Sequence, residues 1–381
     1  MDLNQINTTY KSVKESTLFG RYITNNHIEK CFKKCSKTTV STLGLSVENR
    51  PIYGITYGKG KTKVLLWSQM HGNESTTTKA LFDCFNLFET ENALTKKILN
   101  QCTVFVIPIL NPDGAESYTR LNANKVDLNR DAQDLTQPES KLLRQVYDNF
   151  KPDYCFNLHG QRTIYSVADT NVSATLSFLA PSQDIDCTLT PNRKVAMSII
   201  AEINTALQNE IPNGISRYDD AFNLNCVGDT FQSFGVPTLL FEAGHYRNDY
   251  DREEVRRFVF MSILKGLEVI SKVHDDSFYK AYFKIPENKK LFCDIIIRNA
   301  KLNNVSDKSI DIVIQYKEVL LNDSIDFVPI IESISNLDAL YGHKEINAKN
   351  EIVKNSQNLT LEVTNETDFV MINNEKTSLK R

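Results

Sequence analysis

Five short apolar runs punctuate the first 270 residues, and each stops at a polar or glycine-containing segment. Residues 52–57 alternate in the two-residue rhythm of a strand and end in the turn Gly58-Lys59-Gly60-Lys61. Residues 63–69, 104–110, 153–158 and 236–241 are apolar almost throughout, the pattern of strands buried on both faces. Between them the spacing changes to three and four. It predicts helices over 75–88, through Ala80, Leu81, Cys84, Leu87 and Phe88, and over 138–150, with Pro138 at the start. Further helices are predicted over 192–209, with Val195, Ile199, Ile200, Ile203 and Leu207 on one side, and over 252–272, while 28–37 is the better helical candidate near the amino end. Buried strands separated by amphipathic helices predict an α/β fold: a mixed, mostly parallel sheet with helices on both faces. Such sheets gather ligands at the carboxyl ends of their strands, where His71, Asn111, His159 and Glu242 all fall.

After about residue 280 the texture changes. Residues 291–297, 310–316, 325–331 and 359–363 read as short strands joined by Asn- and Asp-rich connections. The expected organisation is a larger α/β domain over 1–280, which holds those four strand-end residues, and a small β-rich domain over 285–381. A chain of 381 residues is long for a single core, which agrees with two domains.

Composition removes several classes of function. Apolar residues make up 41% and charged residues 24%, ordinary values for a globular protein. The net charge of −3 and scattered Lys and Arg leave no basic groove, so no nucleic-acid partner is expected. The longest apolar stretch is too short to span a bilayer, and the amino terminus lacks the basic start and apolar core of a signal peptide. Eight cysteines without a regular framework suggest reduced, mostly buried thiols and a cytoplasmic location. Cys31 and Cys35 stand one helical turn apart but have no second pair to complete a metal site. Asn-x-Ser/Thr sequons, including one at Asn73, read as chance matches in an Asn-rich chain.

Against that background the placing of two of the six histidines is informative. His71 and Glu74 sit in Met70-His71-Gly72-Asn73-Glu74, directly after an apolar run, and His159 ends another. Alone, a His-x-x-Glu is common by chance and His159 would be a hydrogen-bonded core histidine. Together, two imidazoles and a carboxylate at strand exits form a donor set for Zn²⁺ with a fourth position open to water. Hydrolysis of an amide at zinc needs a base for the water and a cation near the developing oxyanion, and a substrate ending in a carboxylate needs donors to hold it. Arg120, Asn129 and Arg130 supply donors. Glu242, at the mouth of Pro237-Thr238-Leu239-Leu240-Phe241, is either a catalytic base or half of a buried ion pair, and its place at the sheet's ligand-binding edge favours the base.

These motifs stand in the order found in the zinc carboxypeptidase family, which includes carboxypeptidases A, B, E and N, and the chain resembles that family from about Leu43 to residue 260. The resemblance rests on Leu43-Gly44-Leu45-Ser46-Val47-Glu48-Asn49-Arg50-Pro51-Ile52, the His-Gly-Asn-Glu pair, Asn111-Pro112-Asp113-Gly114, Arg120, Asp127-Leu128-Asn129-Arg130, His159 and Glu242. It implies that His71, Glu74 and His159 bind one zinc ion, that Glu242 activates water and passes its proton to the leaving amine, and that Arg120 stabilises the oxyanion. It further implies that Asn129 and Arg130 grip the terminal carboxylate of a peptide or peptide-like substrate. Tyr218 is the best-placed match for the family's substrate-side tyrosine. Lys125 stands where many relatives have Gly, and 85 positions separate Glu74 from His159, a tighter spacing than in the pancreatic branch. Leu240 and Cys226-Val227 hint at an uncharged pocket.

The expected activity is therefore that of a zinc metallocarboxypeptidase. Two other readings compete with it. His-Gly-Asn-Glu and an Asn-Arg pair also occur in N-acyl amino acid deacylases resembling succinylglutamate desuccinylase and aspartoacylase, but the Asn-Pro-Asp-Gly turn with Arg120 is peptidase-like. A degenerate, non-catalytic binding protein would typically have lost a ligand or the base, and this chain keeps them all. The sequence does not fix the oligomeric state.

Overall fold

A computed structural model describes residues 3–272, 277–302, 309–335 and 339–381. They divide into two compact units, Met1–Gln161 with Ala174–Asn288, and Arg162–Ser173 with Lys289–Arg381. This differs from a simple cut near 280. The second unit also takes in an excursion just after His159, in a chain segment with no apolar periodicity to announce it.

The first unit carries helices α1 (Leu3–Val13), α2 (Asn25–Cys31), α3 (Thr76–Phe88), α4 (Ala93–Gln101), α5 (Pro112–Glu116), α6 (Pro138–Phe150), α7 (Pro191–Leu207), α8 (Val227–Ser233) and α9 (Glu253–Ile270). Its strands are β1 (Val40–Leu45), β2 (Pro51–Tyr57), β3 (Thr62–Ser68), β4 (Cys102–Ile107) and β5 (Tyr154–Gly160). After β6 (Tyr165–Val167), which belongs to the second unit, come β7 (Leu176–Leu179), β8 (Ile215–Arg217) and β9 (Thr238–Ala243). All but β6 join one eight-stranded sheet in the order β1-β2-β4-β3-β5-β9-β7-β8. The four central strands β4, β3, β5 and β9 run parallel, and antiparallel pairings bring in β2 and β7. The sheet is mixed, with helices on both faces, as the strand-and-helix rhythm predicts.

Strand alternation sends Val64, Leu66, Phe156, Leu158, Leu239 and Phe241 to one face, where they join Phe82 and Phe85 of α3, Ile199 and Ile203 of α7 and Phe258 and Leu264 of α9. Leu65, Trp67 and Cys155 face the other way, against Leu142 and Leu143 of α6 and Phe231 of α8. Asn157, His159, Leu240 and Glu242 share the parity of Cys155, so His159 and Glu242 emerge on the α8 side. Among the described residues no helix is long and apolar enough to cross a membrane.

The second unit is a small β domain. Strands Ser324–Ser335, Ile310–Leu321, Phe292–Ala300 and Tyr341–Asn347 lie side by side in that order, with a further three-stranded sheet formed by Val353–Lys354, Phe369–Ile372 and Glu375–Ser378. Residues 359–363, expected as a strand, are not one: only Thr360 makes a bridge, to Lys354. Leu361 is buried, but Leu359 and Val363 are 58% and 47% exposed, and Asn358 and Thr364 adopt left-handed backbone on either side. Two turns therefore cut short a segment whose alternation suits a ladder.

Candidate metal and active site

The loop after β3 is held by its neighbour after β4. Asn111 accepts a hydrogen bond from Gly114 N–H at 2.9 Å through Oδ1 and donates one to the Met70 carbonyl at 3.2 Å through Nδ2. The two backbones touch so closely that a Cβ at Gly72 would lie 1.9 Å from the Gly114 carbonyl carbon. That contact makes glycine obligatory beside His71. Asp113, 1% exposed, accepts from Ser46 Oγ at 2.7 Å, Glu48 N at 3.0 Å and Arg50 Nη1 at 2.8 Å. Asn-Pro-Asp-Gly is thus the frame of the site, tying the 43–52 segment to the His71 loop.

Within that frame His71, Glu74 and His159 converge. His71 Nδ1 lies 2.9 Å from Glu74 Oε1, His159 Nδ1 lies 3.1 Å from Glu74 Oε2, and the two Nδ1 atoms are 3.2 Å apart. Gly160 N donates to Glu74 Oε2 at 2.9 Å, fixing the carboxylate against the exit of β5. Among the described residues this is the one set of His, Cys, Asp and Glu side chains able to hold a metal ion, its donor atoms all within 4.8 Å of one another. Donors bonded at about 2.1 Å to a tetrahedral Zn²⁺ would stand about 3.4 Å apart, so the spacing suits the ion. The chemistry agrees: two imidazoles, both rings 2% exposed, and one carboxylate are the nitrogen and oxygen donors that zinc takes. The residues fit zinc.

Asp127 backs the cluster. Its Oδ1 lies 3.1 Å from His71 Nε2 while accepting from Asn129 N at 2.9 Å, so it orients the ring whose Nδ1 faces Glu74 and His159. Burial works against the His71 imidazolium, but Glu74 and Asp127 outweigh it and raise the ring's pKa to about 9. Burial likewise opposes the Asp127 carboxylate, yet His71 and Arg120 hold its pKa below the ordinary range. In the sequence Asp127 stands within Asp127-Leu128-Asn129-Arg130 with no task of its own apparent. The available signal is an Asp at the cap of a tight turn two residues before Asn129.

Arg120 donates through Nε to Asp127 Oδ2 at 3.1 Å, and its Nη1 reaches within 3.3 Å of His71 Nδ1 and 3.6 Å of Glu74 Oε1. Its side chain is 46% exposed, so the cation leans over the ligands from the solvent side. Asn129 is buried, with Oδ1 accepting from Val227 N at 3.0 Å at the start of α8. Arg130 is exposed and donates to the Asn129 carbonyl at 2.7 Å and toward Cys226 Sγ at 3.1 Å. Lys125 occupies left-handed backbone, φ +62°, which is the conformation glycine adopts most readily.

Glu242 pairs in register with His159 across β5 and β9, so both side chains leave the sheet together. Its Oε2 is buried without a hydrogen-bond partner. Burial first, and then the charge of Glu74, raise its pKa well above the usual carboxylate range. Tyr218 lies elsewhere on the sheet. It follows β8, the outermost strand, which runs antiparallel to β9, and its N–H donates to the Phe178 carbonyl at 2.9 Å. The chain therefore leaves β8 away from the end where His159 and Glu242 stand.

The model of the zinc carboxypeptidase family matches residues 24–223. The chain belongs to the zinc carboxypeptidase family. That match spans His71, Glu74 and His159, the three residues that could hold the metal, together with Arg120, Asn129, Arg130 and Tyr218, and stops before Glu242, which rests on its place beside His159. Among curated relatives, carboxypeptidase SOL1 of Arabidopsis thaliana is 28% identical over 163 residues, covering 36% of this chain and 33% of that protein. Carboxypeptidase E of Caenorhabditis elegans is 29% identical over 151 residues, 32% of each chain. The chain thus spans about a third of the length of these relatives. Solved structures share the fold. The metallo-carboxypeptidase from Burkholderia cenocepacia has a TM-score of 0.51 at 19% identity, covering 65% of this chain and 70% of its own. Carboxypeptidase A from Helicoverpa armigera has a TM-score of 0.52 at 14% identity, covering 71% and 80%.

Proposed function

We propose that this protein is a zinc-dependent hydrolase that cleaves the amide bond next to a free C-terminal carboxylate in a peptide or peptide-like substrate. One observation carries the reading: Glu242, whose Oε2 is buried without a hydrogen-bond partner, stands in register beside His159, at the edge of the His71–Glu74–His159 cluster. Zinc held by that cluster would polarise the scissile carbonyl and acidify a water molecule. Glu242 would take a proton from the attacking water and deliver it to the leaving amine, so the proton lost by one product-forming oxygen reappears on nitrogen. Arg120, anchored by Asp127 and leaning over the ligands, would face the oxygen that gains negative charge. Asn129 and Arg130 would hold the substrate's terminal carboxylate, with Asn129 Oδ1 locked on Val227 so that its amide group is preset.

The test is Glu242→Gln, which removes the base and keeps the ligands. Zinc content should remain at one ion per chain while turnover falls by about 10³-fold or more. Wild-type turnover in that variant would rule out the assigned base. Product mass spectrometry should be run with a C-terminal peptide panel beside an N-acyl amino acid panel, and cleavage of the second alone would replace the peptidase reading with a deacylase.

A further inference from the structure

A carboxylate that must accept a proton needs a fixed position, yet donors bonded to it would lower its basicity. Glu242 meets both conditions in an unusual way: its Oε2 has no partner, while the backbone around it is tied down from several sides. Arg252, 1% exposed, donates through Nη1 to the Ala243 carbonyl at 2.5 Å and through Nη2 to the Gln161 carbonyl at 2.9 Å. One guanidinium thereby bridges the residue after Glu242 and the residue two past His159. Gln161 works from the other side. Its N–H donates to the same Ala243 carbonyl at 2.9 Å, its Nε2 donates to the Ala174 carbonyl at 2.8 Å, and its Oε1 accepts from Ser177 Oγ at 3.0 Å. Ser177 is the register partner of Glu242 on β7. Gly244 closes the packing, since a Cβ there would lie 2.0 Å from the Ala174 carbonyl oxygen and 2.3 Å from Gln161 Nε2.

Reaching this position strains the chain. Arg252 adopts left-handed backbone, φ +59°, just before α9, a conformation that disfavours a residue with a Cβ. Asp249 holds the turn by accepting from the N–H groups of Glu253, Glu254 and Val255. A simple cap does not need a buried arginine bent back across two strand ends.

We propose that Arg252 is a positioning residue: with Gln161 it fixes Glu242 relative to His159 through the backbone, which leaves the carboxylate unbonded for proton transfer. This rests on the hydrolase reading above and adds a residue to its machinery without touching substrate. Arg252→Met should lower kcat by about 10–100-fold, with KM within about threefold of wild type and zinc still at one ion per chain. Arg252→Lys, able to reach only one carbonyl at a time, should recover part of the loss. The decisive measurement is the double-mutant cycle. In a Glu242→Gln background Arg252→Met should cost nothing further, because its effect passes through a base already gone. Losses that add in the cycle, wild-type kcat in Arg252→Met, or a kcat loss that tracks zinc loss would each overturn the proposal. If Arg252→Met does not fold, Arg252→Lys and Gln161→Leu carry the same cycle. Amide exchange supplies a readout independent of turnover: Gln161 and Gly244 should exchange faster in the variant. If zinc-loaded wild-type protein cleaves no amide, the hydrolase reading falls, and unchanged exchange at those two amides would separately refute the positioning role.

Discussion

At the scale of single residues, the site divides into groups that meet the metal and groups that aim them, and the sequence shows the first better than the second. His71, Glu74 and His159 are legible because ligand chemistry restricts residue type, because the two histidines each follow an apolar run and because Glu74 stands three residues after the first. Asp127 is harder to see, since an Asp before a tight turn serves as a cap in many loops and only its 3.1 Å approach to His71 Nε2 shows the second task. Asp127→Asn keeps the cap oxygen but loses the charge that steadies the imidazole. Zinc affinity should fall by about 10–100-fold, read by competition with a chromophoric chelator, while Glu242→Gln leaves that affinity near wild type. Equal affinities in wild type and Asp127→Asn would reduce Asp127 to a turn residue. Arg252 was not legible at all: it lies ten residues past Glu242, and nothing in its neighbours announces a guanidinium folded back onto two carbonyls.

At the scale of elements, periodicity reads the strands that line the site and the long helices, because burial on one or both faces imposes a rhythm. It overlooks β7 and β8, which have only four and three residues, too few for a rhythm to show. It also cannot show what polar residues do on a buried helix face. Asp83 of α3 and Arg256 of α9 are both fully buried and meet at 2.6 Å, although 173 positions separate them in the chain. Arg256 also donates to the Leu18 and Glu15 carbonyls, so one guanidinium joins two helices to the chain beyond α1. Burial raises the pKa of the Asp83 carboxyl even with Arg256 beside it, the mark of a pair whose members depend on each other. Arg256→Leu should therefore cost about 3–5 kcal/mol in urea unfolding, because it strands Asp83 in the core. The double variant Asp83→Leu/Arg256→Leu should recover much of that loss. A single substitution costing under 1 kcal/mol would mean the carboxyl is neutral and needs no partner.

At the scale of the whole molecule, the first unit depends on a charge that holds its amino-terminal segment against the core. Glu15, just past α1, is buried and accepts from Thr17 Oγ1 at 2.7 Å, Lys34 Nζ at 2.6 Å and Asn86 Nδ2 at 3.3 Å. The partners come from the α1–α2 connection, the end of the α2 segment and α3, so one carboxylate joins three parts of the fold. Burial opposes its ionisation, but the bonds from Lys34, Thr17 and Asn86 prevail and bring its pKa down from 4.5 to about 2. A group whose pKa is lower in the folded state stabilises the fold fully above its unfolded pKa, and loses that contribution as pH falls toward the folded value. The window is thus from about pH 4.5 down to about 2, and the contribution at neutral pH is about 2 kcal/mol once the exposure of Lys34 is discounted. Glu15→Gln carries no such titration. Urea unfolding between pH 5 and 2.5 should show wild type losing about 2 kcal/mol more than the variant, while the two run parallel between pH 6 and 8. If both lost stability at the same rate on acidification, the Glu15 charge would have no part in securing this end of the chain, and other carboxylates would govern acid unfolding.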